Sequence, residues 1–141
     1  MRRPAASIAF VLLAGCQSPP LTQEQIAALD YGPRPEDFRQ LVLDFLRPRL
    51  MEPKYAVVEF KAGPSPLYQK EALSRDREYG WAVCVTVNDR DPRGAYEGFY
   101  PMVVYIRAGK VVAADGGSLE RAVGLRYAQA QCKQLGYDAP G

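Results

Sequence analysis

Residues 79–88, Tyr-Gly-Trp-Ala-Val-Cys-Val-Thr-Val-Asn, are mostly apolar on both faces that a β-strand presents. Successive side chains of a strand point to opposite sides. Trp81, Val83, Val85 and Val87 therefore share one face, and Ala82, Cys84 and Thr86 share the other. A strand without a polar face belongs inside a sheet that is covered twice. The rest of the chain has to supply flanking strands and two covers.

The flanking strands are read from three further stretches. Residues 55–60, YAVVEF, form one strand, and residues 99–107, FYPMVVYIR, form another with Pro101 near its edge. Ala108-Gly109-Lys110 is a tight turn from which VVAA pairs back, and DGGS ends the sheet. Residues 61–78 read as a long polar connection. The first cover is an amphipathic helix, with Phe38, Leu41, Val42, Phe45 and Leu46 at helical spacing. Pro35, Glu36 and Asp37 supply its first turn, and Pro48 ends or kinks it. Before it, Thr22 and Gln25 stand at capping-box spacing. The second cover is a C-terminal helix capped by Ser118 and stopped by Gly136, with Ala122, Leu125, Ala128, Cys132 and Leu135 near one face. The expected fold is α+β: a mostly antiparallel sheet of three or four strands, an N-terminal amphipathic helix and a C-terminal helix.

The first sixteen residues set an address. Arg2 and Arg3 precede a run, Ala5 to Leu13, in which Ser7 is the one polar side chain; Ala14 and Gly15 follow. Basic, apolar and small is the order of a secretory signal. The run is far short of the ~20 residues that span a bilayer. A core helix would show polar residues at a 3.6-residue period, and this run shows none. Leu13-Ala14-Gly15-Cys16 resembles the lipobox of bacterial lipoproteins. That resemblance implies a thioether-linked lipid on Cys16, cleavage before it, and a membrane anchor. Residues 1–15 are then a signal peptide, 16–21 a lipidated tether stiffened by Pro19 and Pro20, and 22–141 a single domain. Gln17, standing where enterobacterial retention signals have aspartate, implies the outer membrane with the domain facing the periplasm; the inner membrane is the alternative.

Processing would leave 126 residues (141 less 15), one domain's worth of chain. The leader holds two of the 18 basic residues and none of the 16 acidic ones, so the remainder balances 16 against 16. Without a polybasic cluster, nucleic acid is not an expected partner. With Cys16 assigned to lipid, Cys84 and Cys132 form an even pair. An oxidising compartment makes a Cys84–Cys132 disulfide the natural reading; two separate buried thiols are the alternative.

The chain has no histidine. Ser-His-Asp and Cys-His catalysis and histidine metal sites are thereby excluded. Asp89-Arg-Asp91-Pro-Arg-Gly94 matches a calcium loop as far as Gly94, but Arg93 and Tyr100 occupy later ligand positions. The loop is read as a hairpin connection with Asp89 and Asp91 solvated, and no metal or other cofactor is expected. No pair of carboxylates stands in a setting that would split their pKa values. Tyr96, Phe99 and Tyr100 are the candidate binding surface.

DYGPRP, LMEPKYA, the hairpin YGWAVCVTVNDRDPRGAYEGFYP, and IRAGKVV together resemble a group of small exported proteobacterial proteins. The resemblance implies a fold and an exported location, with no reaction attached. The expectation is a non-catalytic, membrane-anchored envelope module acting through an unidentified envelope protein. The alternative is a small-molecule or cell-wall binding module using the 88–100 loop.

Overall fold

The structure, a computed structural model, describes residues 19–72, 75–117 and 123–139. The signal, Cys16 and Gln17 lie outside them, as do Ser118 and Ala122. Four strands, β1 (Val57–Gln69), β2 (Glu78–Asn88), β3 (Tyr100–Arg107) and β4 (Lys110–Gly116), form one antiparallel sheet in the order β1-β2-β3-β4. Helices α1 (Gln23–Ala27) and α2 (Phe38–Leu46) precede the sheet, and α3 (Val123–Gln134) follows it. The fold is α+β.

β2 is central and covered twice, as its two apolar faces require. On one face Val83, Val85 and Val87 join Met102, Val104 and Ile106 of β3 beneath Val42 and Leu46 of α2. Phe38, Leu41 and Phe45 pack at the margin of this layer, and the rings of Phe38 and Phe60 meet edge to face at 5.9 Å. Helix α2 begins after the acidic turn, with Asp37 at its N-cap making no side-chain cap bond. Pro48 converts its end into a 3₁₀ turn, Arg47–Arg49. The capping box on α1 is formed: Gln25 N–H donates to Thr22 Oγ1 at 3.2 Å, and Thr22 N–H to Gln25 Oε1 at 2.9 Å.

On the other face Ala82, Cys84, Val103 and Tyr105 meet α3. The row of α3 that faces the sheet is Gly124, Ala128, Gln131 and Cys132, with Leu135 at its margin, while Leu125 is half-buried. Small side chains on both elements let the backbones approach, and Cys84 and Cys132 are joined by a disulfide with Cα atoms 5.3 Å apart. The helix ends as Gly136 implies. Gly136 has φ +97°, its N–H donates to Lys133 C=O, and Tyr137 N–H donates to Cys132 C=O. These are the paired bonds of a Schellman cap.

One stretch departs from the sequence reading. Residues 61–69 are not a connection but the second half of β1, paired from Ala62↔Cys84 to Gln69↔Glu78. Gly63, Pro64 and Pro66 punctuate a strand here without ending it, because β1 is an edge strand and its register shifts twice, between Phe60 and Ala62 and between Ala62 and Ser65. Gly63 sits in the second irregularity with φ +85°, and a Cβ there would lie 2.2 Å from Ala82 C=O. Only glycine fits that approach. At the far hairpin, Arg107 pairs with Lys110 across Ala108 and Gly109, both at positive φ, the geometry of a two-residue primed turn.

Candidate functional site

The end of the sheet where β2 finishes and β1 and β3 begin gathers the exposed apolar side chains. Tyr96 and Phe99 are 50 % and 46 % exposed, and Met51, Tyr55 and Val57 are open to a similar degree. Their convergence is built by specific bonds. Val57 is the register partner of Asn88, whose Oδ1 accepts from Gly98 N–H at 3.0 Å. Tyr96 Oη donates to Tyr55 C=O at 2.9 Å, and the Arg90 guanidinium lies 3.4 Å from the centre of the Tyr55 ring.

Asp89 is the fastener of this end, and its placement corrects the sequence reading. It is buried rather than solvated, 4 % exposed. Its Oδ2 accepts from Met51 N–H at 2.7 Å, and its Oδ1 accepts from Arg90 N–H at 2.8 Å and Glu52 N–H at 3.3 Å. Asp91 behaves as a turn residue, its Oδ1 accepting from Arg93 and Ala95 N–H, both at 2.9 Å. Both carboxylates are thus occupied by backbone donors, and no group of three or more metal-ligating side chains occurs among the described residues.

The three aromatic candidates do not act together. Tyr96 and Phe99 face outward. Tyr100 is half-buried against the α2-side core, where burial, then the charges of Asp89 and Glu97, push its hydroxyl up to about 12. Beside the exposed end, a shallow groove of about 270 Å³ runs between Leu43, Leu46, Leu50, Pro53, Ala56 and Val58. Of its lining residues only Arg47 is charged, and none belongs to the 88–100 loop.

A second constellation was not visible in the sequence. Between β4, β3 and α3, Asp115 Oδ2 accepts from Arg75 Nη1 at 3.3 Å and from Gln131 Nε2, and Gln131 Oε1 accepts from Tyr105 Oη at 2.7 Å. Asp115 is buried and Arg75 half-buried, and the guanidinium lies 4.4 Å from the centre of the Tyr127 ring. Glu78 joins them: its Oε2 is buried without a donor, and its carboxyl is pushed up to about 8 by burial, then by its hydrogen bond to Asp115. A carboxyl pushed up beside a second carboxylate does therefore occur, against the sequence expectation. Glu78 stands 37 residues from Asp115, and only the sheet brings them together. The available signal was phase, because Glu78 shares the face of Ala82 and Cys84.

At the opposite end of β2 from the aromatic cluster, the chain enters the domain. Pro19 C=O accepts from Arg77 Nη2 at 3.1 Å, and Arg77 also holds Glu71. No described helix is long and apolar enough to cross a membrane. Comparison of the chain with known protein families, with curated proteins and with solved structures returned no match.

Proposed function

We propose that the protein is a lipoprotein of the cell envelope, anchored by lipid on Cys16 to the outer membrane, that acts without catalysis by presenting one end of its sheet to a protein partner in the periplasm. The observation that carries this reading is the convergence of Met51, Tyr55, Val57, Tyr96 and Phe99 on that end. Exposed apolar side chains gathered in one patch mark an interaction surface, and aromatic residues dominate the energetic centres of such surfaces. A small-molecule site would instead be concave, with a few convergent polar groups. The neighbouring groove is open and nearly without charge.

Lipid on Cys16 lies three residues before Pro19. Pro19 meets Arg77 at one end of the sheet, and the aromatic cluster lies at the other end of the 11-residue β2. At about 3.3 Å per residue the separation is on the order of 30 Å. The partner is accordingly reached from the periplasm and not through the bilayer.

A photo-crosslinking amino acid at position 99, with a second at Val112 on exposed β4 as control, tests the surface in intact cells. A discrete protein adduct from position 99 that position 112 does not give is the expected result. No adduct from 99, or the same adducts from both positions, would refute the proposed surface.

A further inference from the structure

We propose that Glu78 keeps its proton in the folded protein and donates it to Asp115, and that this proton latches α3 and the 75–78 segment onto the sheet. The case begins with counting donors. Asp115 Oδ2 receives Arg75 and Gln131, so its charge is met. Glu78 Oε2 has no donor and no exposed surface. An ionised carboxylate in that position would leave two negative groups facing one guanidinium at a partly buried site, an arrangement that favours the neutral form of one of them. Protonated, Glu78 donates its O–H to Asp115 and the orphan oxygen is satisfied.

Among the described residues, the groups that face Glu78 are few. Asp115 comes from β4, Tyr105 from β3, and Arg75 and Asp76 from the approach to β2. From α3, Gln131 bridges Asp115 to Tyr105, and Tyr127 stacks on Arg75. Every partner on α3 is neutral, so α3 offers no charge to compensate an ionised Glu78. The same Asp115 oxygen that meets Gln131 also meets Arg75. Loss of the proton thus strains the contact holding α3 and the contact holding the 75–78 segment at once.

The direction of the pH effect follows. Once the 75–78 segment and the first turns of α3 open, with the Cys84–Cys132 disulfide as pivot, Glu78 returns to its ordinary value of 4.5, against about 8 when closed. Between these limits the closed state holds one more proton than the open state. Closure is therefore fully favoured below about pH 4.5 and loses ground as pH rises, by up to about tenfold per pH unit, until about pH 8.

The test uses the full chain labelled with carbon-13. Carboxyl NMR should show one carboxyl titrating near pH 8 that disappears in Glu78→Gln, whose amide still donates to Asp115. Hydrogen-exchange protection of α3, corrected for intrinsic rates, should fall across pH 5–8 in the natural sequence and stay level in Glu78→Gln. Should that variant fail to fold, the titration and protection of the natural sequence decide alone. The proposal is overturned if every carboxyl titrates in the ordinary range, or if α3 protection does not change with pH.

Discussion

Asp89 holds three backbone N–H groups with one side chain, and two of them, from Met51 and Glu52, come from a turn 37 to 38 residues earlier in the chain. Removing the carboxylate leaves those donors part-buried and unpaired. Each such group costs about 1–3 kcal/mol. Asp89→Ala is therefore expected to lower stability by roughly 2–3 kcal/mol in urea denaturation, and Asp89→Asn by less, since it keeps one acceptor oxygen. Asp91→Ala should cost under about 1 kcal/mol, because its two bonds lie within an exposed turn. Equal and small effects at both positions would contradict the fastening role. Sequence alone places both residues in one turn-rich loop and cannot separate them. The distinction lies in donors supplied from far upstream, which no local pattern records.

Among elements, what was legible follows from periodicity. The two-faced strand, the stripe on α2 and the glycine stop on α3 each express a repeat or a terminal residue that the fold uses directly. The second half of β1 was not legible, because Gly63, Pro64 and Pro66 carry the composition of a loop. An edge strand with two irregularities needs fewer N–H donors and tolerates them. Gln131 was likewise hidden, as a polar residue whose burial depends on Asp115 and Tyr105 across the sheet. The disulfide joins β2 to α3 and closes a loop of 48 residues, which the chain-entropy account values at about 4 kcal/mol. Cys84→Ala and Cys132→Ala should each destabilise by roughly 2–5 kcal/mol, with the double variant little worse than either. Thermal unfolding with and without a reducing agent checks this. Singles that differ widely, or a natural protein indifferent to reduction, would show that α3 is held by packing and the Gln131 contacts alone.

For the molecule as a whole, the proposed function gives the two ends of the sheet different duties. Pro19 joins the fold at Arg77, and the aromatic side chains project from the end near Asn88. In the proposed lipoprotein, the formally neutral body left after processing would offer no electrostatic attraction to an anionic surface, so membrane residence would rest on lipid rather than on the domain. The proposed envelope address, the oxidising compartment that suits the disulfide, and the proposed direction of the aromatic end all hang on the proposed thioether at Cys16. Growth of the native host with a palmitate analogue, followed by flotation of its membranes, tests that bond most directly. The natural sequence should carry the label and float, and Cys16→Ser should be unlabelled and stay in the soluble fraction. An unlabelled natural protein, or a Cys16→Ser variant that still floats, would contradict the account.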